Sequence, residues 1–291
     1  MAEDPRLADM NPLCRIAGPA AWLDGLWAGP GMTAVRRSVS GAWALVLPAD
    51  CACCQRPDTG LCPPCRAALR AATVRPLRVE QDAEALPLTE GGAPLPVLAA
   101  GRYELGLAAA LLAFKNRQRV GLRHTLGPAL AGAIQAAAAQ LPDASDRRIL
   151  LVPVPSRLRA RLRRGYWPVG MLLAWVEARR LLPAGMATAP LLVHRSGGQK
   201  VHEQKGQGRR GRASIRGSLR VLRGSRPDPR IRVLLVDDVL TTGATLAECH
   251  RVLSARGWVV CGAVVVAATA APREGAAEIK PSAIDLSTQH A

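Results

Sequence analysis

The sequence predicts an α/β protein, a parallel sheet flanked by helices and preceded by a small four-cysteine ribbon. Three observations predict it. The runs RRILLVPVP (147–155), IRVLLVDD (231–238) and WVVCGAVVVAA (258–268) are apolar at successive positions, as strands buried on both faces are. Segments of helical period separate them, and strands alternating with helices give a parallel sheet. Ahead of this pattern, CACCQRPDTGLCPPC (51–65) carries two C-x2-C pairs on a short loop.

At 291 residues and 49% apolar side chains, the chain can fill one substantial domain and a smaller module. The apolar run from Val259 to Ala271 is too short to span a bilayer. Near the N-terminus Glu3, Asp4, Arg6 and Asp9 precede a stretch broken by Pro and Gly, which does not read as a secretion signal, so a cytoplasmic location is expected. The formal charge of +17 is almost wholly arginine, since Lys115, Lys200, Lys205 and Lys280 are the only lysines. Arginine forks suit phosphate and carboxylate oxygens, although a GC-rich genome is an equal source of the excess. The charge crowds at Arg157, Arg159, Arg161, Arg163 and Arg164, and again from Arg195 to Arg232, where only Glu203 and Asp228 oppose it. Anionic ligands would be drawn to these segments.

Residues 1–46 hold Pro5, Pro12, Pro19 and Pro30 with no sustained period and form an extension of unassigned fold. Met32 opens a more natural start, so residues 1–31 read as a leader or an over-extended reading frame. Residues 47–70 form the ribbon. Cys51, Cys54, Cys62 and Cys65 have the spacing of two knuckles presenting thiolates to one tetrahedral ion, zinc before others, in a compartment that keeps thiols reduced. A redox-active thiol cluster is the alternative. Four thiolates would close the coordination shell, so the zinc is structural, and Cys53 competes with Cys54 as a ligand. Cys14, Cys249 and Cys261 read as buried or idle thiols. Residues 71–95 mix Pro, Gly, Glu and Gln without period, as a linker does. The main domain covers 96–271. It opens with a strand in PVLAAGRYE (96–104), followed by helices at 105–115 and about 121–140. After the 147–155 strand come an amphipathic helix in 167–182, with Pro168 in its first turn, and a strand in LLVHR (191–195). A helix from about 243 to 256 joins the last two strands. Residues 272–291 read as a disordered tail.

VLLVDDVLTTGATL (233–246) carries the chemistry. Ligands of open α/β sheets sit at the carboxyl ends of strands, where Asp237 and Asp238 fall. Two adjacent carboxylates can accept hydrogen bonds from the two vicinal hydroxyls of a ribose. Thr241, Thr242, Gly243, Ala244 and Thr245 then supply N–H groups, hydroxyls and a helix N-terminus, a seat for a phosphate. Together they describe a ribose 5-phosphate.

This stretch resembles the phosphoribosyl-pyrophosphate (PRPP) signature of type I phosphoribosyltransferases. With the cysteine ribbon, YELGLAAALLAFKNRQRVGL (103–122), VPVPSRLRARLRRGY (152–166) and HRSGGQ (194–199), the layout from about 45 to 270 resembles the ComF family, which is associated with competence and DNA uptake. The resemblance implies a type I phosphoribosyltransferase-like sheet. It implies that Asp237 and Asp238 act on the ribose hydroxyls, that 241–245 hold the 5-phosphate, and that Ser156 and Arg157 belong to a pyrophosphate loop supported by Arg163 and Arg164. Mg²⁺ on the pyrophosphate comes with it. The implied reaction is transfer of phosphoribose to a nitrogen nucleophile with release of pyrophosphate. Family members commonly read R-G-F-N-Q where this chain has Arg164, Gly165, Tyr166, Trp167 and Pro168. After Gln199 the chain keeps Arg212 and Gly217 but has Ser214 where Asn is usual. These departures leave PRPP binding expected and the transfer step open.

Lys115, in LLAFKN, stands where ComF members also carry Lys, and it either reaches a phosphate or snorkels from a helix. His194, His202 and His250 lack a carboxylate at a telling spacing and read as solvated or hydrogen-bonded. Trp22, Trp27, Trp43, Trp175 and Trp258 read as apolar fill. Two other functions stay open. One is an inactive nucleic-acid-binding accessory protein acting on single-stranded DNA or with DNA-uptake machinery, favoured by the ribbon and the arginines and disfavoured by an aromatic content of 3%. The other is PRPP sensing.

Overall fold

The computed structural model describes residues 50–141, 148–156, 158–195 and 216–270. The expected extension and tail lie outside the described residues. Eight strands are described: β1 (Leu77–Arg78), β2 (Val97–Arg102), β3 (Arg148–Pro153), β4 (Met186–Thr188), β5 (Leu192–His194), β6 (Leu219–Val221), β7 (Ile231–Leu240) and β8 (Val259–Ala268). Six of them form one sheet in the order β1-β2-β8-β7-β3-β4. Only β1 runs antiparallel; the other five are parallel. β5 and β6 make a separate antiparallel pair. LLVHR is therefore no member of the parallel sheet. The edge place beside β3 goes instead to Met186–Thr188, a strand of three residues.

The continuous apolar runs predict β3, β7 and β8 because each is covered on both faces. On one face lie α1 (Pro63–Thr73), α2 (Leu105–Asn116), α3 (Arg123–Gln140) and α5 (Pro168–Ala178), packed with Leu151, Leu234, Val236, Val264 and Val266. On the other lies α6 (Ala244–Ser254), with Leu150, Val233, Leu235, Ala263 and Val265. α4 (Leu158–Arg164) follows β3 and precedes α5. Pro168 does occupy the first turn of α5, where its missing N–H has no intrahelical acceptor to lose. α3 and α5 cross closely at Gly127: a Cβ there would lie 2.4 Å from the Trp175 indole.

Residues 71–95 do more than connect. Val79, Ala83 and Leu86 are buried in the core on the α6 face, and β1 pairs with β2. Ala85 N–H donates to the Thr242 carbonyl at 2.9 Å. The segment lacks a period because it packs as an irregular strap, burying single side chains in place of a helical or alternating face.

The topology fixes where a ligand can sit. β3 and β7 are neighbours, yet the crossover from β3 goes through α4 and α5 to β4 on one flank, and that from β7 through α6 to β8 on the other. Diverging crossovers open a crevice at the carboxyl ends of β3 and β7, the switch point of an open α/β sheet. α3 is the return helix, since its last residues Ala137, Gln140 and Leu141 lie beside Ile149 at the amino edge. α2, which precedes it, therefore lies near the carboxyl edge.

The β5–β6 pair is tied to this edge from both sides. His194 Nε2 lies 3.1 Å from the Pro155 carbonyl, just past β3. The buried carboxylate of Glu248 on α6 accepts from Gly217 N–H at 2.7 Å and pairs with Arg251 at 2.7 Å. Glu248→Ala should destabilise the fold by about 2 kcal/mol, the scale of a hydrogen bond to a charged group. Urea unfolding checks the loss, and hydrogen exchange should accelerate first at Leu219–Val221.

Candidate functional site

β7 keeps its extended geometry through Asp237 and Asp238, and side chains of successive strand residues point to opposite faces. The two carboxylates consequently diverge. Asp238 turns toward α2, where its Oδ2 lies 2.8 Å from Lys115 Nζ, and only 12% of its side chain is exposed. Asp237 turns toward α6, where its charge is felt by the buried thiol of Cys249. Its own Oδ1 accepts from Asp238 N–H at 2.8 Å. Burial and then the neighbouring Asp238 carboxylate push the Asp237 carboxyl up to about 8; the Asp238 N–H and Lys115 only partly offset this. The two acids thus flank the carboxyl-terminal part of the strand from both sides.

β7 continues for two more residues, Val239 and Leu240, and the chain then builds an anion seat. Thr241 and Thr242 are exposed, and Gly243 has φ of +82°, a left-handed conformation that glycine adopts without strain. A Cβ at Gly243 would also meet Leu86 Cγ at 2.8 Å, so the strap of residues 85–86 lies against the back of the turn. The first intrahelical bond of α6 runs from Ala247 N–H to the Gly243 carbonyl. The N–H groups of Ala244, Thr245 and Leu246 precede it and belong to the helix N-terminus, which favours negative charge. Thr242 Oγ1 lies 3.5 Å from Ala244 N.

Across the crevice the chain leaves β3 at Pro153 and continues through Val154 to Ser156, which is partly buried. Val154 N–H donates to the Val236 carbonyl at 2.8 Å, holding this loop against β7 one residue before Asp237. Arg157 lies outside the described residues. Arg163 is exposed on α4, and Arg164 is partly buried with its Nε unpartnered among the described residues. The structure therefore brings Ser156, Asp237, Asp238 and the 241–245 turn to one edge, and puts Arg163 and Arg164 on the helix that follows the β3 loop.

Two contributors escaped the sequence reading. Trp167, where an Asn stands in the ComF pattern, donates its indole N–H to the Val154 carbonyl at 3.1 Å and carries the Arg161 guanidinium 5.7 Å from its ring centre. Tyr166 is buried against Phe114, its hydroxyl without a partner among the described residues. Burial pushes that phenol up to about 12. Lys115, read from the sequence as reaching a phosphate or snorkelling from its helix, meets the Asp238 carboxylate, a partner that its neighbours in LLAFKN do not indicate. Trp175 does more than fill, since its indole N–H points at His124 Nδ1 at 3.2 Å.

The cysteine cluster is a second site. The sulfur atoms of Cys51, Cys54, Cys62 and Cys65 all lie within 4.8 Å of one another, with Cys51–Cys62 and Cys54–Cys62 at 3.6 Å. A tetrahedral ion with metal–sulfur bonds near 2.3 Å would need edges of about 3.8 Å, so these four can hold a metal ion. Burial pushes the Cys51 thiol up, but N–H groups of Cys54, Cys62 and Cys53 outweigh it and bring the thiol down to about 6. Cys53 is not one of the four: its thiol meets that of Cys65 and lies 3.4 Å from the Gly106 carbonyl at the start of α2. It is thus a tether between the ribbon and α2, outside the four-sulfur cluster.

A cavity of about 310 Å³ opens at the opposite, amino edge of the sheet, between Leu141, Ile149, Leu234 and Cys261, with Arg78 and Arg232 also lining it. Among the described residues its lining holds no carboxylate and no helix N-terminus, and Asp237 and Asp238 are not part of it.

No family model and no curated protein matches the chain. Among solved structures it is similar to an adenine phosphoribosyltransferase at 13% identity, covering 69% of this chain and 88% of that one with a TM-score of 0.31. The enzyme from Saccharomyces cerevisiae, complexed with an imino-altritol bisphosphate and adenine, gives 14% identity, coverages of 71% and 89%, and 0.31. That from Leishmania tarentolae gives 15%, 50% and 71%, and 0.27. At these scores the reading of the site rests on this chain's own residues.

Two outcomes follow from the site. The folded-state Asp237 carboxyl titrates above its unfolded value, so the native state binds the extra proton and stability falls as pH rises from about 4 toward 8. Asp237→Asn keeps the acceptor for Asp238 N–H and removes the charge; the melting temperature should rise by several degrees at pH 8 and by less at pH 5. Chelation, or Cys62→Ser, should release one metal ion per chain and lower the melting temperature, measured by metal analysis beside thermal melts.

Proposed function

We propose that the crevice between β3 and β7 binds PRPP, or another ligand built on ribose 5-phosphate, and that the chain is a ComF-type phosphoribosyltransferase-like protein. The observation that carries this reading is the placement of two acids near the carboxyl end of β7, a few residues before an anion-seating helix N-terminus, at a topological switch point. A ribose with its 5-phosphate on the N–H groups of 243–246 has its ring within reach of the strand end just before them. Asp237 and Asp238 would then accept from the 2- and 3-hydroxyls, one from each side. Protonated Asp237 can also donate, which suits a hydroxyl that is both donor and acceptor.

In transfer of phosphoribose to a nitrogen nucleophile, the C1–oxygen bond to pyrophosphate breaks and a C1–nitrogen bond forms. The nucleophile loses a proton, and pyrophosphate leaves with the bonding pair. The work of the protein is electrostatic, because a departing anion and a cationic sugar centre need fixed charges of opposite sign on opposite sides. Ser156 and the arginines of 157–164 would receive the pyrophosphate, while the two acids face the sugar. Residues 154–156 carry no carboxylate, so a Mg²⁺ ion here would be held mainly by pyrophosphate oxygens, supplying charge neutralisation to the leaving group. Zinc is the proposed occupant of the cysteine cluster, with a structural role set by its four thiolates. A place in competence and DNA uptake rests on the ComF resemblance alone.

Thermal melting with PRPP and Mg²⁺ tests this reading. Ligand at about 100 times its dissociation constant adds about 2.7 kcal/mol to the folded state and should raise the midpoint by a few degrees. The Asp237→Asn/Asp238→Asn variant should lose that response. An equal shift in the variant would remove the acids from the site.

A further inference from the structure

Lys115 is the one lysine among the described residues, and it sits where the proposed ligand would sit. Its ammonium lies 2.8 Å from Asp238 Oδ2. It is the penultimate residue of α2, where a cation is also favoured by the unpaired carbonyls of the helix end. Leu107, Leu111 and Phe114 anchor the helix in the core, so the position of Lys115 at the carboxyl edge is fixed by packing. Only the long, flexible side chain can move, and 35% of it is exposed. Asp238, by contrast, is almost enclosed and can keep its charge only while something polar faces it.

We propose that Lys115 is an exchangeable counter-ion of the ribose 5-phosphate site: it holds the Asp238 carboxylate until ribose hydroxyls replace it, and then turns its ammonium to an anionic oxygen of the same ligand. This inference rests on the PRPP reading and adds a residue and a selectivity to it. A neutral sugar offers Asp238 a hydroxyl but gives the displaced ammonium no anion, so it must break an ion pair without replacing it. A sugar phosphate satisfies both groups at once. The exchange thus selects a ligand carrying a diol and a phosphate together, which neither acid can do alone. The compact ammonium on a four-carbon stem suits such a swing, and any cation of similar reach should retain it.

The test is isothermal titration calorimetry of the full chain with PRPP and Mg²⁺, with ribose 5-phosphate, and with ribose. The proteins are the unsubstituted chain, Lys115→Met and Lys115→Arg, each first shown folded by circular dichroism. The expected result has three parts: Lys115→Met weakens both phosphorylated ligands at least 10-fold, Lys115→Arg stays within about 3-fold, and ribose binds at least 100-fold more weakly than ribose 5-phosphate to the unsubstituted chain. Equal affinities in all three proteins, beside clear binding by the unsubstituted chain, would overturn the role of Lys115 and leave the PRPP site standing. Tighter binding by Lys115→Met would overturn it too, showing that the lysine only blocks the acid. No binding by the unsubstituted chain would overturn both. Should Lys115→Met fail to fold, the folded Lys115→Arg and a Lys115→Gln variant make the same comparison.

Discussion

The constraint on which the rest depends is the carboxyl-terminal part of β7, where a strand buried on both faces delivers two acids into a partly dry edge. Burying a carboxylate without a partner is costly, and the structure meets that cost differently on each side. Asp238 is answered by a cation from α2. Asp237 turns back onto a backbone N–H and holds its proton well above the usual carboxylate range. A sequence selected for stability alone has little reason to place two acids there, and a ligand with hydroxyls supplies one. The divergence of the crossovers from β3 and β7 then provides the space.

The elements around this edge act mostly by positioning. The strap of residues 79–86 backs the Gly243 turn, and Ala85 holds its carbonyl neighbour. The β5–β6 pair meets the β3 loop through His194 and α6 through Glu248. Trp167 fixes the first residue of that loop. The cysteine ribbon reaches the same edge indirectly, since Cys53 meets α2 at Gly106 and α2 carries Lys115. A metal ion in the ribbon would thereby stiffen the helix that holds the cation at the site.

Much of this was legible in the sequence, for definite reasons. β3, β7 and β8 announce themselves because burial on both faces forces continuous apolar runs, and the C-x2-C pairs because a tetrahedral shell dictates their spacing. The acidic strand end and its glycine turn are contiguous, so the core of the site is written in one stretch. What was hidden is what comes from distant segments. Strands of three residues, such as Met186–Thr188 and Leu192–His194, are too short to show a period, so the edge strand was missed and LLVHR was placed in the wrong sheet. The strap of 71–95 has the composition of a linker because it buries single residues. The Lys115–Asp238 pair depends on where α2 lies, which no local pattern encodes. The strand assigned to 231–238 already holds both acids, and the alternation that sends them to opposite faces follows from it, while its continuation through Val239 and Leu240 was not read.

The most direct measurement of the central claim is a backbone amide NMR titration of the full chain with ribose 5-phosphate, following shifts residue by residue. A ligand seated as proposed should give large shifts at Gly243, Ala244, Thr245 and Leu246, where a phosphate would meet the helix N-terminus, and further shifts at Asp237 and Asp238. Shifts confined to the cavity at the amino edge, around Ile149, Arg232 and Cys261, or spread evenly over surface arginines with no response from 237–246, would contradict it.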